Sequence, residues 1–185
     1  MDQAITELLA KQAITETLYR VARGTDRGDV ELYTSCFHED GEDFHGLCNG
    51  PVQNIAANLA RSPLLFTQHA ISNVLVEFES ADVAWVESCF QSFHQGKNVD
   101  GSLRDEAIIG RYFDRFERRG NGPWKIARRV VLWDWSRVEP ASKDTWIDQV
   151  RQRPGTDDLF IFGRRDREDM VYTRRLPPEL SDRDT

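Results

Sequence analysis

From residue 67 onward the chain is written as four long strand-like runs with almost nothing between them. Residues 67–79 and 83–95, then "LRDEAIIGRYFDRFER" and "WKIARRVVLWDWSRV", are rich in β-branched and aromatic residues at alternating positions. The connections "ESAD", "GKNVDG" and "RGNGP" are too short to carry a crossover. Successive strands must therefore run antiparallel, and the sequence predicts a twisted meander.

Helical periodicity precedes this block. In residues 4–22, Ile5, Leu8, Leu9, Ile14, Leu18 and Val21 recur at three- and four-residue steps, and Gly24 is placed to end the helix. Asp29 can cap a short second helix, "VELYTSCF". A brief strand is expected near "EDFHGL". "NGP" then breaks the chain ahead of a third helix, "VQNIAANLARS", with Pro51 in its first turn. Helices first and sheet second make an α+β class. After residue 138 the periodicity weakens, so residues 1–138 form the domain and residues 139–185 an extension. Trp146, Ile147 and Val150 suit a short helix there, and Leu159 to Phe162 are too apolar for disorder. The extension is expected to pack on the domain or on a neighbouring subunit, with "SDRDT" frayed.

Composition narrows the function classes. A net charge of −7 argues against a nucleic-acid partner. No apolar run approaches a membrane span, and "MDQAITELLAK" carries acidic residues where a signal peptide needs basic ones. The expectation is a cytoplasmic protein with no membrane partner. The three cysteines, Cys36, Cys48 and Cys89, make no CxxC pair, so buried thiols are expected rather than a disulfide or zinc scaffold. "FHEDGEDFH" collects His38, Glu39, Asp40, Glu42, Asp43 and His45, but its spacing fits no metal motif and an acidic turn explains it. No metal and no cofactor are expected.

Three helices curled against a twisted sheet enclose a cone, and strand parity says which side chains meet inside it. Thr67, His69, Ile71 and Asn73 share one face of their strand. Trp124, Ile126, Arg128 and Val130 share a face of the last strand, and Lys125, Ala127 and Arg129 share the other. His69 is the candidate proton-transfer group, because an imidazole titrates near neutral pH. It needs an orienting carboxylate, and Asp26 beside the first helix can supply one. Tyr19 can present a hydroxyl to the same space, and Arg128 can stabilise developing negative charge. His94 can line the cavity or its rim. Against each stands a plainer reading: a packed strand histidine, a turn aspartate, a core tyrosine and a surface arginine pair.

The likeness to a known family rests on four blocks. They are the first-helix tyrosine followed by "GTDRGDVELYTSCFHEDG", then "GLCNGPVQNI", "TQHAISNVLVEFESADVAWVES" and "GRYFDRFERRGNGPWKIARRVVLWDW". Together the chain resembles the SnoaL-like branch of the NTF2-like superfamily across about residues 5–137. It is most similar to the cofactor-free lyases: dehydratases, dehydrochlorinases and formaldehyde lyases. The resemblance implies an NTF2-like cone and a His69–Asp26 dyad assisted by Tyr19 and Arg128. It also implies a hydrophobic, ring-containing small-molecule substrate and a homo-oligomer, a trimer first and a dimer second. The dehydrochlorinase helix-one lysine has no counterpart, since Ala22 and Arg23 lie near that place. Asn73, Phe44, Phe66, Trp85 and Trp133 are the expected substrate contacts. A binding protein, a structural β subunit of a ring-hydroxylating dioxygenase, and a polyketide cyclase or isomerase are the competing members.

Overall fold

A computed structural model describes residues 2–142, 145–155 and 160–175. Helix α1, Gln3–Arg27, buries Ile14, Leu18, Val21 and Gly24 along one face. It does not end at Gly24. It stops at Gly28, whose φ of 63° lets its N–H close back on the Gly24 and Thr25 carbonyls. Gly24 serves packing instead: a Cβ there would lie 2.8 Å from the Tyr33 nitrogen. The extra turn places Asp26 on the helix itself rather than in the turn after it. Asp29 caps α2, Val30–Ser35, by accepting the Leu32 N–H.

Strand β1, Phe37–His45, is longer than expected, and "CNGP" pairs with it as β2, Cys48–Pro51, rather than breaking the chain. Helix α3, Val52–Ala60, follows with Pro51 as its N-cap. The meander is β3, Phe66–Ser80; β4, Val83–Lys97; β5, Leu103–Arg118; and β6, Trp124–Pro140. The six-stranded sheet runs β2-β1-β6-β5-β4-β3. Its meander is antiparallel as the connections require, but β1, which follows α1 and α2, lies parallel to β6 at the meander's end. Two short helices close the described chain: α4, Trp146–Arg151, where Trp146, Ile147 and Val150 were expected to be helical, and α5, Met170–Thr173. "SDRDT" lies outside the described residues.

The core forms where the concave sheet face meets the helices. Ile14, Leu18, Val21, Tyr33, Phe37, Val52, Val86, Phe116 and Ile126 pack there, each apolar side chain contributing roughly 1.5–3 kcal/mol by burial. A second cluster, Phe90, Ile108, Tyr112 and Val131, continues the concave face along the sheet.

Two bulges overturn simple parity. In β3, Ser72 pairs with Cys89 and Leu75 with Glu87, so one residue is extra. Asn73 sits in this bulge at φ 49°, a left-handed conformation that asparagine tolerates. In β6, Ile126 pairs with Phe116 and Arg128 with Arg115, leaving Ala127 extra. Beyond it Arg129, not Arg128, turns inward. Gly110 marks the tightest point of the sheet, where a Cβ would lie 2.4 Å from the Leu132 carbonyl and 2.7 Å from the Phe90 ring.

Gly110→Ala should therefore lose about 1–3 kcal/mol of stability by overpacking. Asn73→Gly should be near neutral, and Asn73→Val should lose roughly 1–2 kcal/mol through left-handed strain. Denaturant unfolding measures all three. An Asn73→Val protein as stable as the native one would contradict the bulge geometry.

Candidate functional site

At the last turn of α1, Asp26 faces the start of β3. Its Oδ1 lies 2.7 Å from His69 Nδ1, and its Oδ2 accepts the His69 backbone N–H at 2.9 Å. The Thr67 hydroxyl donates to Oδ1 at 3.4 Å. The His69 side chain is 9% exposed, so the pair is nearly dry. One carboxylate thus fixes the ring nitrogen and the main chain of the same residue. The other ring nitrogen, Nε2, has no hydrogen-bond partner among the described residues.

Strand pairing surrounds this ring with polar groups. Ser92 is paired with His69 and His94 with Thr67, on the same concave face. The rings of His69 and His94 lie 5.4 Å apart. Burial, with His69 alongside, pushes His94 down to about 4, so it is neutral at physiological pH. Ser88 Oγ, Ser92 Oγ and His94 Nε2 are buried with no hydrogen-bond partner among the described residues. Such donors and acceptors suit water or a ligand.

Deeper in the cone, Asp43 accepts from the Tyr33 hydroxyl at 2.6 Å and lies 3.3 Å from His45 Nδ1. Arg129 and Asp114 form a fully buried bidentate pair with both bonds at 2.8 Å. Burial opposes the Arg129 charge, and the Asp114 carboxylate more than offsets it, holding its pKa above the ordinary arginine value. The guanidinium stacks 4.0 Å over the Tyr112 ring. Between these groups and His69 a space of about 30 Å³ remains, room for about one water.

The larger space lies on the other side of His69. A cavity of about 500 Å³ is lined by Tyr19, Arg23, Asp26, Phe66, His69 and Ile71, together with Ile147 of α4 and residues 162–165. The extension thus forms one wall of it. Arg167 binds Asp29 at 2.8 Å and Glu31 at 3.0 Å, and Arg27 lies 3.4 Å from Asp169. Burial raises the Asp29 carboxyl, but the Leu32 amide, Tyr172 and Arg167 outweigh it and hold it below its ordinary value. The Arg164 and Val171 amides hold Asp169 low as well.

The expected site residues divide accordingly. Asp26, His69, Tyr19 and Phe66 meet at the cavity, with Tyr19 half exposed at its edge. Arg128 does not join them: the bulge turns it outward, where its 56% exposed side chain stacks on Phe44 and approaches Glu42. Phe44 is outward too, because its neighbours Asp43 and His45 take the inner positions of β1. Trp85 is stacked on Phe113 at 5.4 Å and bonded to Glu79 on the convex face. Asn73 is spent in its bulge and exposed. Trp133 faces inward against His45 and Phe90, away from the cavity. Of the acidic run, Asp43 enters the cone while Asp40 pairs with Arg119 at the surface.

Several groups escaped the sequence reading. Asp114 alternates with Gly110, Tyr112 and Phe116, so a buried charge was legible in "GRYFDRF". Arg129 needed the bulge to be known. Arg165, on the cavity wall, stands in a stretch with no periodicity to place it.

Comparison with known proteins agrees with the fold. The family model described as a SnoaL-like domain matches residues 6–130, and the chain belongs to that family. A scytalone dehydratase-like protein of Novosphingobium aromaticivorans superposes with a TM-score of 0.65 at 22% identity, over 76% of this chain and 94% of that one. LinA gives 0.64 at 21%, over 77% and 97%. A type 2 hexachlorocyclohexane dehydrochlorinase, also LinA, gives 0.62 at 23%, over 83% and 99%. At these identities the likeness concerns the fold, which is NTF2-like. Among curated proteins no sequence matches significantly.

The docked extension carries its own pH dependence. Asp29 and Asp169 are depressed in the folded state, so their contribution is complete above the ordinary value of 3.8 and is lost as pH falls through their lower folded values. Arg167 is well exposed, which keeps that contribution modest. Hydrogen exchange of the amides at 164–173 should stay protected at about pH 5 and lose protection as pH falls below the ordinary value of 3.8, before the sheet does. Simultaneous loss in both regions would contradict independent docking.

Proposed function

We propose that this SnoaL-like protein is a cofactor-independent lyase acting on a hydrophobic, ring-containing small molecule. The observation that carries the reading is the 2.7 Å Asp26–His69 contact at the wall of a cavity of about 500 Å³, a volume within the ordinary range for small ligands. Asp26 keeps the His69 proton on Nδ1 and leaves Nε2 as the base. Nε2 takes a proton from carbon or from a hydroxyl of the substrate. For halide or water loss, the C–H pair forms the new double bond and the leaving group departs with its own bonding pair, hydroxide taking a proton to leave as water. For formaldehyde loss, the O–H pair forms its carbonyl bond, and the C–C pair stays on the ring-bearing fragment, which takes the proton back from His69. Tyr19, on the wall of the same cavity, is the hydroxyl that assists that departure. Neutral His94 adds no competing positive charge beside the base.

The proposed assembly is a homo-oligomer, with a trimer as the first expectation. Its support is the convex sheet face, which leaves Phe93, Ile109, Phe113 and Trp135 exposed between 41% and 51%. Such a patch favours burial against another copy. Sedimentation equilibrium giving a monomer at micromolar concentration would contradict it.

A screen of ring alcohols, halogenated rings and diaryl compounds identifies a substrate. With it, His69→Ala should abolish turnover while the protein still folds, its stability lowered by roughly 1.5–3 kcal/mol through loss of the imidazole–Asp26 bond. Asp26→Asn should lower kcat about a hundred- to ten-thousand-fold, because an amide facing Nδ1 favours the wrong tautomer. Ordinary turnover by both variants would remove the dyad from the mechanism.

A further inference from the structure

The chain as a whole is acidic, with 31 Asp and Glu against 24 Lys and Arg. The cavity beside His69 reverses that balance. Arg23, Arg27, Arg151, Arg164 and Arg165 line it, and among the described residues its one carboxylate is Asp26. That carboxylate is already engaged by His69 and Thr67. Arg27 and Arg164 have partners in Asp169 and Asp166, and Arg151 stacks 4.4 Å over Phe162. Arg23 and Arg165 have no carboxylate within ion-pair distance among the described residues.

Arg165 is the informative one. Its Nε is buried with no hydrogen-bond partner, and one terminal nitrogen reaches only the Thr25 carbonyl, at 3.5 Å. The side chain as a whole is only partly buried, but an Nε–H shut off from water without a partner is unfavourable unless something completes it. A planar carboxylate matches the guanidinium fork, and the hydrogen bonds it forms there are charge-assisted. The apolar share of the same wall, Phe66, Ile147 and Phe162, suits a ring.

We propose that the cavity recognises a ring-containing carboxylate, with Arg165 as its principal anion contact and the ring carried toward His69. This rests on the lyase reading for what His69 then does, but the recognition itself is independent of turnover. It also gives the extension a purpose, since Arg165 reaches the cavity only while residues 160–173 are docked.

Calorimetric titration of the full chain with 2-naphthoate and with 2-naphthamide tests it. The acid should bind at least about tenfold more tightly than the amide, the scale of one charge-assisted contact. Arg165→Gln should remove most of that preference while leaving naphthamide binding unchanged, and Arg165→Lys should restore part of it. Equal affinities overturn the proposal, as does failure of both probes to bind at millimolar concentration. So does a Gln variant that weakens both probes alike, which marks Arg165 as structural. His69→Ala should keep the preference for the acid. If it does and no substrate is ever turned over, the lyase reading fails and the recognition stands; if a neutral substrate is turned over and the preference is absent, the reverse holds.

Discussion

Everything at the open end of the cone hangs on one carboxylate. Asp26 ties the last turn of α1 to the first residues of β3 by accepting from a main-chain N–H, an imidazole and a hydroxyl at once. Hydrogen bonds to an ionised acceptor contribute roughly 1.5–3 kcal/mol each. They also fix the angle at which the helical layer meets the sheet. The residue holds that position because α1 continues past Gly24, and it continues because the missing Cβ lets α2 lie against it. A packing detail on one face of the helix thereby determines the orientation of a titratable ring on another element.

The interior beyond the dyad is more polar than a core of this size requires. The Arg129–Asp114 pair is fully buried, and removing one partner of such a pair costs about 3–5 kcal/mol. Tyr33, Asp43 and His45 form a second hydrogen-bonded set. Their joint effect is to keep the concave wall fixed while leaving only about 30 Å³ beside His69. Beside His69, the space for a molecule larger than water lies on the extension side. Under the proposed function, the substrate enters from there and meets Nε2 of a ring whose back is already held.

Much of the fold was legible in the sequence because its determinants are local. Short turn-forming connections dictate antiparallel neighbours, and the helical spacing of Ile14, Leu18 and Val21 dictates a buried face. The parallel β1–β6 pairing was not legible, since it depends on where two helices deliver the chain. The candidate site was readable as far as parity held. His69 and Thr67 precede the β3 bulge and were assigned to the correct face. Asn73 and Arg128 were misassigned because bulges at Asn73 and Ala127 shift the alternation, and an extra residue in one strand is a property of the pairing. Asn73 carried the one hint, being a residue suited to positive φ. Arg165 had no local signal, because its place is set by ion pairs between Arg167, Asp29 and Glu31 that are distant in sequence.

The most direct measurement is nitrogen NMR of the His69 imidazole at a pH where the ring is neutral, using selective ¹⁵N labelling and His69→Gln for assignment. A base prepared by Asp26 carries its proton on Nδ1, shared with the carboxylate, and leaves a bare Nε2 able to accept. A neutral ring protonated at Nε2, or one that averages the two tautomers freely, would mean that Asp26 does not prepare His69 as a base.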